Sequence, residues 1–267
     1  MYIQLNGQSV RTEKDSAFGI RDELFPANSI VILNGFCIES DAIIHEKDEL
    51  FIVEKGVMPP EDQLEAMMAA RHTPGVQARV KKAKVAIAGL GGLGSNIAVS
   101  LARIGVGELL LVDFDTVDPS NLNRQSYFIR HMGMPKTEAL KEQIKQINPF
   151  IHVITKDIRI KESNVCELFT GYDVLCEAFD NPATKAMLVS TALDCLPDIK
   201  VVAASGMAGY ASANHICTKK KMENFYICGD YETAAETGNG LMAPRVMICA
   251  GHQANMVLRL LMDEENA

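Results

Sequence analysis

No Cys-x-x-Cys pair occurs anywhere in the 267-residue chain, so the commonest sequence sign of a structural zinc site is missing and zinc is not expected. Nor is there an excess of positive charge: 26 Lys and Arg stand against 34 Asp and Glu, a net charge of −8. A general nucleic-acid binder would carry a basic patch to neutralise phosphates, so nucleic acid is not an expected partner. No run of eighteen apolar residues escapes polar or charged interruption, and the opening "MYIQLNGQSVRTE" lacks the basic-then-apolar layout of a secretory signal. Both absences point to a cytoplasmic protein without a membrane partner. The seven cysteines, Cys37, Cys166, Cys176, Cys195, Cys217, Cys228 and Cys249, are odd in number and scattered. They do not read as a disulfide framework, and most are expected to be small core residues.

With 48% hydrophobic residues the chain can bury a proper core, and its length suits a medium domain with a small one attached. In "YIQLNGQSVRT" two short strands flank Asn6-Gly7, a dipeptide that tolerates the positive φ of a tight hairpin turn. "KDSAFGIRDELF" has apolar residues at helical spacing, with Asp15 or Ser16 able to cap it, and "SIVILNGFCI" and "DELFIVEKG" supply further strands. This order predicts a small α+β sheet crossed by one helix over residues 1–57. Residues 58–80, with "PEDQLEAMMAAR", read as a helical linker that begins with proline in its first turn.

From Lys81 to the end, strand and helix alternate: "KVAIA", "ELLLVD", "HVIT" and "DVLCEAF" are strands, while "SNIAVSLARIG" and "KTEALKEQIKQIN" are helices. Continuous apolar strands separated by helices predict a doubly wound, Rossmann-like parallel sheet over residues 81–267, with its ligand at the carboxyl ends of the strands. The last helix, in "PRVMICAGHQANMVLRLLM", is apolar on more than one face, which deep packing, a dimer contact or both would explain.

Gly89, Gly91 and Gly94 satisfy G-x-G-x-x-G between a strand and a helix, and Gly92 loosens the loop further. Such a loop brings backbone N–H groups to phosphate at the positive end of a helix, and Asp113, ending the second strand, can accept both hydroxyls of a ribose. NAD and ATP are equally served by these features. The run "LLLVDFDTVDPSNLNRQSYF" distinguishes them, because Asp115, Asn121, Arg124 and Gln125 form a polar excursion for which a dehydrogenase has no use. The Arg124 fork can hold two phosphate oxygens, and Lys136, behind Pro135 at a helix start, can meet phosphate as a point charge. Both would stabilise charge moving onto a leaving pyrophosphate. Asp180, in "LCEAFDNPATK", follows an apolar strand at the ligand-binding edge, where it serves magnesium or phosphate chemistry or simply caps the next helix; Asn181 reads as a plain N-cap before Pro182.

"GLGGLGSN", "LVDFDTVDPSNLNRQ", "GMPK", "FDN" and "MAPRVMICAGHQANMVLRLL" together resemble the ThiF and MoeB group of adenylyltransferases related to the ubiquitin-activating enzymes. The resemblance implies that Gly91 and Gly92 approach ATP, Asp113 holds its ribose, Asn121 and Arg124 its phosphates, Lys136 the α-phosphate, and Asp180 the magnesium ion. It implies that the carboxylate of a small sulfur-carrier protein ending in Gly-Gly attacks ATP to give an acyl-adenylate and pyrophosphate, and that a sulfur source then displaces AMP. It further implies a homodimer in which an arginine, here Arg71, reaches the partner's site. Two cysteines lie where such enzymes often carry a reactive thiol: the lysines of "TKKK" favour Cys217, and position favours Cys228.

The N-terminal segment is similar to the ThiS-type β-grasp carriers, yet it runs through "EKGVMPP" instead of ending in a free Gly-Gly carboxylate. The whole resembles a ThiF variant with a fused carrier-like domain acting as a docking or regulatory module. That resemblance points to thiazole formation for thiamine and leaves molybdopterin or another sulfur product open. Three rivals are an NAD-dependent oxidoreductase, a non-catalytic scaffold whose cleft the fused domain fills, and a sibling enzyme with a peptide or tRNA acceptor. Lacking zinc cysteines, residues 206–241 must be held by other contacts or be mobile.

Overall fold

The computed structural model describes all 267 residues, which divide into two units, Met1–Ala78 and Arg79–Ala267. In the first, β1 (Tyr2–Leu5) and β2 (Gln8–Arg11) are joined by Asn6-Gly7, with φ of 50° and 82°, as the hairpin turn requires. Helix α1 (Ala17–Leu24) follows, its first turn capped by the Ser16 side chain, which accepts from the Gly19 N–H. Strands β3 (Ile30–Leu33) and β4 (Phe36–Ile38) and β5 (Glu49–Val53) complete a five-stranded sheet in the order β2-β1-β5-β3-β4. Only β1 and β5 are parallel. This is the ubiquitin-like arrangement expected, with Ile3, Leu5, Val31, Leu50 and Ile52 packed around Ile20 of α1.

The opposite face of that sheet is also covered. Helix α2 (Glu61–Met68) and the turn after it set Ala66, Met67 and Ala70 against Ile30, Ile32, Phe51 and Val53. Pro60 stands at the N-cap, one position ahead of the expected first turn. Gly7 has no Cβ to strike the Ala66 methyl, and the Asn6 amide donates to Gln63 Oε1 at 3.3 Å.

A short helix, α3 (Val76–Val80), spans the division between the units. The second unit then runs β6 (Lys84–Ala88), α4 (Gly92–Arg103), β7 (Glu108–Asp113), α5 (Lys136–Ile147), β8 (His152–Asp157), α6 (Glu162–Phe169), β9 (Val174–Glu177) and α7 (Pro182–Cys195). After these come β10 (Lys200–Ala204), β11 (Cys217–Met222), β12 (Phe225–Gly229) and α8 (Ala243–Leu261). The sheet order is β11-β12-β10-β9-β6-β7-β8. Six strands are parallel; β11 alone runs antiparallel, because the two residues between it and β12 are too few for a crossover. The sequence pattern does not predict β11, whose Lys219–Lys221 run disguises an edge strand.

Strand alternation sorts the core into two layers, as a doubly wound sheet demands. Val85, Ile87, Leu109 and Leu111 face α4, α5 and α8, while Ala86, Ala88, Leu110 and Val112 face α6 and α7. From β6 the chain proceeds to β7 on one side, and from β9 to β10 on the other. The point where strand order reverses therefore lies between β6 and β9, the place where open α/β sheets of this kind form a crevice beyond the carboxyl ends.

One expectation is overturned. Cys166 of α6 and Cys195, the last residue of α7, form a disulfide. Packing of two helices brings together positions 29 residues apart, and no spacing in the sequence announces it. Cys176, Cys228 and Cys249 are buried thiols, as expected of core cysteines. Unfolded without reductant, the protein should show five titratable thiols to Ellman's reagent and seven after reduction. Cys166→Ser should lower the unfolding free energy by about 2–4 kcal/mol. Seven thiols before reduction would show the bond unformed.

Candidate nucleotide site

The glycine loop turns β6 into α4 with almost no room to spare. Gly89 has φ of 88°, and a Cβ on Gly94 would run into the Gly89 carbonyl, so the helix can start this close to the strand only without a side chain there. A Cβ on Gly92 would meet Val246 at 2.9 Å and Arg124 at 3.5 Å, whereas one on Gly91 would meet only the Gln125 amide nitrogen, at 3.9 Å. Gly91 is the N-cap of α4 and no side chain caps it, which leaves the first N–H groups of the helix open to an anion.

Asp113 closes β7 beside this loop. It is buried, and its carboxylate accepts from the backbone N–H of Leu90 at 2.6 Å, Phe114 at 2.7 Å and Asp115 at 2.9 Å. A carboxylate offers roughly four acceptor sites, so capacity remains on a group the backbone has already aimed. Gln125 is 8% exposed and its Oε1 has no partner. Such an orphaned carbonyl beside a cradle that a Cβ would fill suits a ligand donor, and an adenine amine or a ribose hydroxyl provides one.

The residues after β7 differ in what they are free to do. Asn121 is drawn into a cap, its Oδ1 accepting from the Asp118 N–H at 3.1 Å. The Arg124 guanidinium folds onto its own loop, donating to Ser120 O at 3.1 Å and Asn123 Oδ1 at 2.8 Å, with no carboxylate partner. Lys136 is 6% exposed and pairs with the half-exposed Asp115 across 3.1 Å. Thus the structure joins Asp115 to Lys136, lays Arg124 against Gly92, and sets Gln125 beside Gly91.

Asp180 lies across the crevice, beyond β9. It is exposed and its carboxylate makes no hydrogen bond or ion pair, while Asn181 performs the capping by accepting from Ala183 and Thr184 N–H. Behind it stands a pair the sequence reading does not single out. Glu177 is wholly buried, and Lys185 Nζ donates to both its oxygens, at 3.1 and 3.0 Å, and to Ala204 O at 3.2 Å. Burial pushes the Glu177 carboxyl up and Lys185 pulls it back. A Glu inside a strand otherwise apolar, "VLCE", was the available signal.

Within residues 206–241, Ala208, Asp230 and Thr233 are tied to α8. Arg245 of α8 donates to Asp230 Oδ2 at 2.6 Å and to Ala208 O at 2.5 Å, and Thr233 also donates to Asp230. Burial raises the Asp230 carboxyl, but the hydrogen bonds from Thr233, Glu232 and Arg245 outweigh it and hold the group at about 2. Of the two candidate thiols, Cys228 is buried and pushed up to about 11 by that burial, which disfavours the thiolate, whereas Cys217 is half-exposed. Arg71 is an exposed residue of the first unit.

The ThiF family model matches residues 64–267, and the ThiS-like ubiquitin model matches residues 1–56. Adenylyltransferase and sulfurtransferase UBA4 of Saccharomyces cerevisiae is 37% identical over 143 residues, 52% of this chain and 32% of that protein. The probable adenylyltransferase/sulfurtransferase MoeZ of Mycobacterium tuberculosis is 39% identical over 118 residues, 44% of this chain and 30% of that protein. The match thus spans about a third of each relative's length. Among solved structures, the E. coli tRNA N6-threonylcarbamoyladenosine dehydratase TcdA, in complex with ATP, superposes with a TM-score of 0.69 at 22% identity, covering 78% of this chain and 98% of that one. E. coli MccB gives 0.57 at 22%, over 76% and 62%. Likenesses at this identity bear on the fold alone.

Lys185→Met strands the Glu177 carboxylate in a site without water. The variant should lose about 3–5 kcal/mol of unfolding free energy at pH 8. The stranded acid has its folded pKa raised above its unfolded value, so the charged form is penalised most at high pH. The deficit should therefore shrink at pH 5, where the carboxyl takes up a proton. Urea unfolding at both pH values checks this, and a deficit that is small or independent of pH would count against the pair.

Proposed function

Because this chain belongs to the ThiF family, we propose that it is an ATP-dependent adenylyltransferase that activates the C-terminal carboxylate of a small ubiquitin-like sulfur carrier. The observation that carries the reading is a pair of cations beside one anion cradle, one of them without an acid partner. Arg124 has no acid, and Lys136 has only the half-exposed Asp115. A dehydrogenase would leave both without a task.

Carboxylate and ATP are both anions, so the site's work is alignment and charge neutralisation, without need of a strong base. Asp113 and Gln125 fix the nucleoside, the start of α4 and Lys136 meet the α-phosphate, and Arg124 unfolds from Ser120 and Asn123 onto the outer phosphates. A carboxylate oxygen of the carrier forms a bond to the α-phosphorus as the bond to the bridging oxygen breaks. Pyrophosphate leaves with its charge met by Arg124. Asp180, free and exposed, is the residue that would hold a magnesium ion, which when bound would supply further charge neutralisation.

The fused ubiquitin-like unit is not the substrate in cis, because the chain continues from Gly56 into Val57 and leaves no carboxylate there. Its ThiS-like character supports thiamine biosynthesis as the pathway. In a following sulfur transfer Cys217, the more accessible thiol, is the better candidate. Exposed Met247 and Ile248 on α8 support a homodimer, in which Arg71 would be the arginine offered to the partner.

ATP–pyrophosphate exchange with magnesium, tested against a panel of Gly-Gly-ending carriers, should depend on one carrier. Arg124→Ala and Asp180→Ala should each reduce that exchange about 10²- to 10³-fold with unchanged circular dichroism. Exchange at the wild-type rate in either variant would refute its role. A site that binds NAD in preference to ATP would refute the reading itself.

A further inference from the structure

Asn96 occupies the second turn of α4, where asparagine is a poor helix former and its side chain competes with the backbone. In this structure the side chain is fully engaged. Its amide nitrogen donates to Gly92 O at 2.6 Å and to Arg124 O at 3.1 Å, and its carbonyl oxygen accepts from Ser126 Oγ at 2.8 Å. One residue earlier, Ser95 Oγ donates to Gly91 O at 2.7 Å and accepts from Ser126 N–H at 3.0 Å. Two consecutive side chains therefore tie the glycine cradle to the segment that carries Arg124.

The two ends of this tie belong to different elements. Gly92 begins α4, and Arg124 lies in the irregular stretch between β7 and α5. The Arg124 guanidinium rests on the same stretch, against Ser120 and Asn123, so it contributes no link back to the cradle. Asn96 grips Arg124 by its backbone carbonyl and leaves the guanidinium free to move.

We propose that Asn96 is a positioning residue that sets the spacing between the glycine cradle and Arg124, so that both reach one triphosphate chain. This rests on the adenylyltransferase reading above. Because Arg124 serves the outer phosphates, loss of the tie weakens binding of a triphosphate and spares a monophosphate, which ends at the cradle. A merely structural role would weaken both equally.

Asn96→Leu removes all three hydrogen bonds while placing a better helix former in α4, so the helix itself is not weakened. Ser126→Ala cuts the tie from the other side without touching the helix. Titration calorimetry with ATP and with AMP, on each variant and the wild type, provides the ratio of affinities. With Asn96→Leu the ATP affinity should fall about tenfold, as expected for losing positioned hydrogen bonds, with AMP affinity unchanged and the circular dichroism that of the folded protein. Ser126→Ala should shift the ratio in the same direction by less. Equal loss for both nucleotides, or no loss for either, overturns the inference while leaving the adenylyltransferase reading standing. A wild-type protein that binds neither nucleotide overturns both.

Discussion

Glu177 places a carboxyl group where water does not reach, and the carboxyl edge of the large sheet is organised around giving it partners. Lys185 takes both carboxylate oxygens and the Ala204 carbonyl, which joins β9, β10 and α7 at one point. Gln253 adds α8 by donating to the carbonyls of Glu177 and Val202 at 3.0 and 3.2 Å. In a low-dielectric interior such a set is strong when complete and costly when broken. The Phe179 N–H donates to Glu177 Oε1 at 2.7 Å, so the turn that leads to Asp180 is shaped by the same carboxylate. A free carboxylate at the crevice is thus presented by a buried one that is not free at all.

Across the crevice the constraint is steric first and polar second. Gly94 lets α4 begin against the Gly89 carbonyl, and this closeness aims the open helix end at the space beyond β6. Tyr127 then donates its hydroxyl to Leu90 O at 2.8 Å, and burial raises the phenol so that it remains a neutral donor. Asp113 grips the Leu90 N–H, so the residue between Gly89 and Gly91 is held by both its backbone groups. Of the two cations on this side, Arg124 is left without an acid, whereas Lys136 is paired with Asp115.

Much of this was legible in the sequence because the informative residues act locally. The Asn-Gly turns, the α1 cap at Asp15 or Ser16, which the structure assigns to Ser16, the Asn181 cap, the strand–glycine–helix loop and the two-layer alternation each depend on neighbours a few positions away. The ubiquitin-like order and the Rossmann-like sheet followed from such signals. What was not legible depends on partners far along the chain. Lys185 finds Ala204, Arg245 finds Ala208 and Asp230, and Cys166 finds Cys195 only after helices and strands have packed. No spacing encodes those distances. Strand β11 was hidden for a different reason: its three lysines suit a solvated edge, where charge discourages pairing with another sheet, and so obscure the strand pattern.

The first unit presents the converse case, a local pattern whose meaning changes with its partner. "IVIL" and "ELFIV" lack the clean alternation of a half-solvated sheet, and the reason is that both faces are covered, one by α1 and the other by α2. Helix α2 has eight residues, none fully buried, and no side-chain cap at its start. An isolated helix of that length is unstable in water. It persists because Ala66 and Met67 reach the apolar row of Ile30, Ile32, Phe51 and Val53, and that row stays out of water because α2 is there. Helix and sheet face are therefore one cooperative element. The ThiS-like unit thus has both faces of its sheet closed by its own chain, and its Gly56 is followed by further residues.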